Sequence, residues 1–288
     1  MLKKTLDIAF IIIQVLLPKH LLSRLIAKLG DTEIAWLKNT LINIAIDAFK
    51  INMEEAAFHR PKDYLTFNDF FMRPLKDDAR IVDKKQKNIT SPCDGEVSQC
   101  GKIEQGSLIQ AKGKYFDLLA LLGGSSELTE KFNNGHFATI YLAPKDYHRV
   151  HMPCNGELNE SIYVPGELFS VNQSTAQHID GLFARNERLI NVFTNGKKGN
   201  VASIMVGAML VAGIETVWGG QVVPPKTAIS CYQSSKQEAI KLKKGEEMGR
   251  FKFGSTVILL FPEGAMDWLE DFTPGTKVNM GQAIGKYL

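Results

Sequence analysis

Two histidines stand three residues apart in the stretch "APKDYHRVHMP", residues 143–153: His148 and His151, with Arg149 between them. Histidine is the side chain that exchanges protons near neutral pH. A lone histidine is more often structural; a pair beside a charged residue points more toward proton transfer. A zinc site would need a third and usually a fourth ligand, and no Cys or His elsewhere has matching spacing. A second centre lies in "FKFGSTVILLF", residues 251–261. Its β-branched and aromatic residues read as one continuous buried strand, yet Gly254, Ser255 and Thr256 interrupt it. Glycine weakens a strand interior, and a hydroxyl in apolar surroundings needs a partner. Ser255 is therefore a candidate nucleophile beside a flexible glycine. Asp94, in the turn "SPCDGEV", could orient a histidine that takes the Ser255 proton. Together they form a Ser–His–Asp set, which is defined by geometry and not by chain order. Spacing alone does not prove that the three meet.

The elements that must position these residues divide the chain in two. Residues 1–75 read as helical. Lys3, Lys4, Lys19, Arg24 and Lys28 face only Asp7 in the first thirty residues and interleave with Leu and Ile. The apolar run from Ile8 to Leu17 is too short to span a bilayer, which takes about 20 residues. No small-x-small cleavage site follows it. This pattern suits a helix lying in the membrane interface and kinked near Pro18. Asp31 is expected to cap a helix whose apolar stripe is Ile34, Leu37, Leu41 and Ile44. Thr66 and Asp69 have the spacing of a capping box before "FFMRPL", and Pro74 ends that helix. From about Ile89 the chain turns to short β-like runs punctuated by Gly and Pro: "HFATIYLAP", "LINVFTNG", "VASIMVGAMLVAGIETVWGG" and "STVILLFPEG".

Two internal echoes appear in this β-rich part. "PCDGEV" at 92–97 returns as "PCNGEL" at 153–158, and "LKKGEEMGRF" at 242–251 as "VNMGQAIGKY" at 278–287. Duplicated turns suit a pseudo-symmetric sandwich or barrel in which Gly supplies positive φ. Asp94 in one copy is Asn155 in the other, so only one copy offers a carboxylate. The expected class is α+β: a helical, membrane-associating region at 1–75, then a β-rich core at 76–288.

The 288 residues are 44% apolar and 23% charged, with a net charge of +3. That is enough to bury a real core. The weak charge, with no long basic run and no RNA-binding aromatic signature, argues against a dedicated nucleic-acid protein. Cys93, Cys100, Cys154 and Cys231 form no CxxC pair and read as reduced thiols.

"FGST", "DYHRVHMP" and "SPCDGEV" together resemble the phosphatidylserine decarboxylases, self-processing pyruvoyl enzymes of bacterial membranes and mitochondria. "TFNDFFMRPL", "GKIEQGSLIQAKG", "VPGELFSVN", "LFARNER", "VGAMLVAGIETVWGG" and "KGEEMGRFKFGSTVI" agree, so the resemblance covers nearly the whole chain. One departure is Phe253, where many members have Leu; both are apolar. The resemblance implies cleavage between Gly254 and Ser255, giving a β chain, 1–254, and an α chain, 255–288, that stay together. Ser255 would become a covalent pyruvoyl group, the Schiff-base cofactor. Asp94, His151 and Ser255 would form the processing set, and His148, with a pKa near the usual ~6.5, would return a proton to the substrate. Phe169, Ser170 and Asn172 are expected near the site. The substrate would be phosphatidylserine, the product phosphatidylethanolamine, and the location the cytoplasmic face of the cell membrane. The family also implies homodimers, and the weak charge already argues against a nucleic-acid partner.

Two other readings remain. One is a Ser–His–Asp lipid hydrolase without self-cleavage, although Ser255 lacks a G-x-S-x-G elbow. The other is a non-catalytic lipid- or partner-binding protein, which would tolerate loss of Ser255.

Overall fold

The computed structural model describes residues 11–12, 14, 17–111, 113–209, 213–222, 230–233, 239–252 and 255–288, with 20, 197, 222, 230–233 and 255 described by backbone alone. The architecture is mixed α/β: a large curled sheet with few helices.

Pro18 stands at the start of a helix, Lys19–Gly30, where its missing N–H costs nothing. Asp31 ends this helix and does not start the next, contrary to the expected cap. Its carboxylate accepts from Asn68 Nδ2 at 2.8 Å. The next helix, Ala35–Phe49, buries Lys38, Ile42 and Ala45. The expected stripe of Ile34, Leu37, Leu41 and Ile44 is not the buried face: Ile34 and Ile44 are 55% and 58% exposed. The helix is apolar on several sides, so periodicity could not choose between them. Thr66 does cap the helix Phe67–Phe71, accepting from Asp69 N at 3.0 Å.

The main sheet is antiparallel. In spatial order it runs Ser230–Gln233, Gly156–Val164, Arg188–Thr194, Asn200–Val206, Ser255–Phe261, His136–Leu142, Gly95–Lys102 and Lys277–Val278, with Lys241–Leu242 also pairing Gly156–Val164. Ser255–Phe261 is thus central, hydrogen-bonded on both edges. Its alternate residues enter two cores, which explains its unbroken apolar run. Val257, Leu259 and Phe261 pack with Val150, Met248 and Phe251, whereas Ile258 and Leu260 pack with Leu121, Phe132 and Phe183. Each such side chain contributes roughly 1.5–3 kcal/mol.

The run 251–261 is not one strand. Glu247–Phe251 belongs to a four-stranded sheet with Gly220–Val222, Ile214–Thr216 and Arg149–His151. The chain therefore changes sheets between Phe251 and Ser255; residues 253–254 lie outside the described residues.

The sequence echoes are echoed in hydrogen bonds. Lys241–Leu242 pairs with Gly156 and Glu157, and Lys277–Val278 pairs with Gly95 and Glu96. Each pair is followed by a glycine turn, Gly245 at φ 83° and Gly281 at φ 85°, and then by a five-residue strand. Gly245 N donates to Met152 O, and Gly281 N donates to the equivalent Ser91 O. Cys93 and Cys154 are buried free thiols and Cys100 is partly buried; the side chain of Cys231 lies outside the description.

Candidate active site

The two sheets bring three sequence segments to one end of the strand His136–Leu142. Ser255 stands in register with Leu142. After Leu142 the chain turns tightly: Asp146 N donates to Ala143 O, and Ala143 N donates back to Asp146 Oδ2 at 2.7 Å. On the other edge Glu96 pairs with Tyr141, which fixes the Asp94 turn. Gly95 is required there, because a Cβ would stand 2.4 Å from the Tyr141 carbonyl oxygen.

His148 is fully buried and stacks on Phe71 at 4.2 Å between ring centroids. Its Nε2–H donates to Ala143 O at 3.1 Å, while Nδ1 has no protein partner among the described residues. Burial, and then the cation of Arg73, pushes its pKa down to about 3. The expected value near 6.5 does not hold, and the imidazole is neutral at pH 7. The His148 carbonyl accepts from Phe251 N at 3.0 Å, tying this loop to the segment that leads to Ser255.

His151 is also buried. Its Nδ1–H donates to Gly245 O at 2.9 Å, so Nε2 is the acceptor, here for the Tyr147 hydroxyl at 3.2 Å. Burial lowers its pKa, partly offset by the Gly245 carbonyl. A neutral imidazole with one lone pair aimed at a hydroxyl is arranged as a general base.

Asp94 does not hydrogen-bond to His151, contrary to the expected orienting bond. Its two oxygens accept from Arg80 Nε at 2.8 and 3.0 Å, and Oδ1 also accepts from Met280 N at 2.8 Å. Gly245 O takes the orienting position on His151 instead. The two residues meet through the backbone: His151 N donates to Pro92 O at 2.7 Å, two residues before Asp94. Arg80 also holds Glu55 at 2.8 Å.

Asp94, Arg80, Arg73, Asp146 and Tyr147 share a cavity of about 460 Å³. His151 touches that wall through the Tyr147 hydroxyl. Phe169 is buried, and its carbonyl accepts from Asn186 Nδ2, which also donates to Gly207 O. Gly207 follows Val206, the register partner of Thr256. Asn172 caps the helix Gln173–His178, and Ser170 N donates to Gln14 Oε1, so both have structural work.

Sequence reasoning missed Arg73, Arg80 and Tyr147 as site residues. Arg73 and Tyr147 lie inside the quoted stretches "FFMRPL" and "DYHRVHMP", but only the fold shows that they flank one cavity. It also missed Glu187. This carboxyl is 2% exposed, accepts from Tyr163 at 3.0 Å and lies against Gly207. Burial pushes its pKa up to about 7.

Known proteins resemble this sequence over most of its length. A family model described as phosphatidylserine decarboxylase matches residues 67–286, and a second, described as PSD, matches residues 9–50. The chain is 50% identical to a phosphatidylserine decarboxylase proenzyme of Stutzerimonas stutzeri, over 97% of this chain and 95% of the relative. It is 48% identical to a proenzyme of the same name from Saccharophagus degradans, over 97% and 98%. It is 47% identical to another from Hahella chejuensis, over 98% and 95%.

Proposed function

The chain belongs to the phosphatidylserine decarboxylase family, and from that premise we propose how its residues carry out processing and decarboxylation. It is a lyase, made as a self-processing proenzyme, that converts phosphatidylserine to phosphatidylethanolamine. The hydrolase reading is not favoured.

In our reading the chain is cut between Gly254 and Ser255. Ser255 Oγ attacks the Gly254 carbonyl, the peptide becomes an ester, and elimination cuts the chain. Hydrolysis of the resulting dehydroalanine releases ammonia and leaves a pyruvoyl group on residue 255. The observation that carries this reading is convergence. The start of the Ser255 strand, the loop holding His148, and the Asp94 turn meet at one end of the His136–Leu142 strand. His151 Nε2 is the atom that would take the Ser255 proton, exchanging its Tyr147 partner for it. Asp94 and Arg80 fix the turn against which the His151 backbone is hydrogen-bonded.

The residues suit a pyruvoyl group at position 255. Ser255 supplies its carbons and opens a strand held on both edges, and His148 Nδ1 is a buried polar atom without a protein partner among the described residues. Such a group, when formed, supplies the carbonyl that condenses with the substrate amine and accepts the electrons left by CO2. The chain must then return a proton to the α-carbon. His148 Nδ1 would hold that proton. Burial disfavours it until substrate brings negative charge into the site.

The enzyme would work at a membrane surface. No helix among the described residues is long and apolar enough to cross a bilayer. Leu21, Leu25 and Leu29 instead lie at i, i+4, i+8 along Lys19–Gly30 and are 44–56% exposed, with Trp36 71% exposed nearby. Arg24 and Lys28 lie on the same helix. That pattern suits an interfacial helix on anionic lipid. Lys19 joins the helix to Glu167 at 2.8 Å, beside Phe169, and so near the site.

Phosphatidylserine labelled in its carboxylate tests the reading. The wild type should release labelled CO2 and form phosphatidylethanolamine. Ser255→Ala should do neither and stay whole. A cleaved and active Ser255→Ala protein would overturn the assignment.

A further inference from the structure

Glu187 is a buried carboxyl that neither self-cleavage nor the return of a proton to carbon employs. It is 2% exposed. Oε2 accepts from the Tyr163 hydroxyl at 3.0 Å, and Oε1 has no hydrogen-bond partner among the described residues. No cation among them offsets its charge: burial raises its pKa, and Tyr163 alone opposes that. The adjacent cation, Arg188, gives its guanidinium to backbone carbonyls, those of Leu121 and Ala184 among them. A buried carboxylate without a cation is costly. A glutamine would hold Tyr163 equally well. What the carboxyl alone adds is a place for a proton.

The sheet register places this group relative to Ser255. Val206 pairs with Arg188 on one edge and with Thr256 on the other. One step further along, Gly207 N donates to Glu187 O at 2.8 Å. The same step on the other edge sets Gly207 opposite Ser255, and Ser255 pairs in turn with Leu142. Glu187, Gly207, Ser255 and Leu142 therefore stand in one row across the sheet. Neighbouring strands lie about 4.8 Å apart, so the backbones of Glu187 and Ser255 are two spacings apart, about 10 Å.

The Glu187 side chain closes much of that distance. A Cβ built on Gly207 would stand 2.9 Å from Glu187 Cγ and 3.1 Å from Oε1. The carboxyl thus lies over Gly207, in space that only a glycine leaves open. Residues opposed across strands share a face, so this is the face of position 255. The next row on it, Leu189, Met205 and Val257, belongs to a single core. Oε1 is on the order of 5 Å, one strand spacing, from position 255. The loop that holds His148 begins at the opposite edge, beyond Leu142.

We infer that Glu187 receives the ammonium group of the substrate and takes one of its protons. The inference rests on the decarboxylase reading and deepens it. The amine is the only cation of phosphatidylserine; its phosphate and carboxylate would be repelled by a buried carboxylate. An ammonium has no lone pair, so its nitrogen cannot attack a carbonyl until an N–H bond breaks. Glu187 Oε1 takes that proton and leaves a neutral amine. The nitrogen bonds to the carbonyl carbon at residue 255 and passes a second proton to the carbonyl oxygen. Glu187 gives its proton to the same oxygen, which departs as water. The carboxylate is restored, and the positive charge that entered with the ammonium stays on the nitrogen. The carboxyl needs no cavity of its own, because the atom it serves becomes bonded to residue 255.

The test uses the processed enzyme with Glu187→Gln and Glu187→Asp. Both should self-cleave, with the pyruvoyl mass on the 255–288 chain as the control. Two soluble probes are titrated by calorimetry: glycerophosphoethanolamine carries the amine, and glycerophosphoglycerol lacks it. Glu187→Gln should weaken the first roughly tenfold or more and leave the second unchanged. Its kcat/KM for phosphatidylserine in detergent micelles should fall roughly 100-fold at pH 7. That deficit should shrink as the pH rises to 9, because solvent then supplies the free amine; Tyr163 is the one other titratable group that meets the carboxyl among the described residues. Glu187→Asp should recover part of the loss. Equal weakening of both probes, or none, overturns the inference, as does a deficit that stays constant with pH. Failure of both variants to self-cleave makes Glu187 structural and also overturns it. A wild type that forms no phosphatidylethanolamine is the separate result that would overturn the functional reading itself.

Discussion

Asp94 and Asn155 accept the same hydrogen bond in two copies of one turn. Met280 N donates to Asp94 Oδ1 at 2.8 Å, and Lys244 N donates to Asn155 Oδ1 at 2.8 Å. An amide is therefore sufficient for the turn. What only the carboxylate adds is the pairing with Arg80.

Asp94→Asn should keep the turn and lose the charge. Giving up a charge-assisted bond costs about 1.5–3 kcal/mol, so the variant should fold with a lowered melting temperature. Its self-cleavage should slow at least roughly tenfold, a change of about 1.4 kcal/mol in barrier. Asp94→Ala loses the Met280 bond as well and should be less stable. Cleaved fraction against time on a denaturing gel, with thermal melts beside it, checks both statements.

Two buried groups give stability opposite slopes with pH. His148 has its folded pKa pushed from 6.5 down to about 3, so the folded state resists its protonation. Its contribution is present above 6.5 and is lost as the pH falls toward 3. Glu187 has its folded pKa raised from 4.5 to about 7. Its contribution is present below 4.5 and is lost as the pH rises through 7. Glu187→Gln keeps a partner for Tyr163 and should remove the loss between 4.5 and 7, leaving the variant the more stable protein at pH 8. Chemical denaturation of both proteins from pH 4 to 8 measures the difference.

The large sheet should hold the two processed chains together. Leu259 is fully buried in the central strand, between Ala138 and Ser203. Leu259→Ala should cost about 2–5 kcal/mol. The processed wild type should elute as one species in gel filtration, and the variant should release the 255–288 chain at lower denaturant.

The proposed docking of the helix Lys19–Gly30 on lipid should be separable from self-cleavage. Replacing Leu21 and Leu25 together with Glu puts charge on the exposed stripe, away from the cavity. Binding to anionic vesicles in a sedimentation assay should fall by roughly tenfold or more, with self-cleavage unchanged.

Much of this was legible in the residues, for identifiable reasons. The Thr66 cap and the strands at His136–Leu142 and Arg188–Thr194 follow from local chemistry, and the paired turns at Gly245 and Gly281 follow from repeated glycines. The buried face of Ala35–Phe49 was not, because a helix apolar on several sides has no single stripe. Nor was the change of sheet after Phe251, because Gly254, Ser255 and Thr256 read as an interruption inside one strand and not as the boundary between two. At the site, residue types suggested Asp94, His148 and His151. The orienting partner of His151 was hidden, because it is a backbone carbonyl, Gly245 O, that no side-chain pattern announces.

The most direct measurement is the intact mass of freshly purified protein under denaturing conditions. The account predicts two chains divided between Gly254 and Ser255, the smaller carrying a pyruvoyl group in place of an N-terminal serine. A single 32.0 kDa species that stays whole on incubation, yet decarboxylates phosphatidylserine, would contradict it.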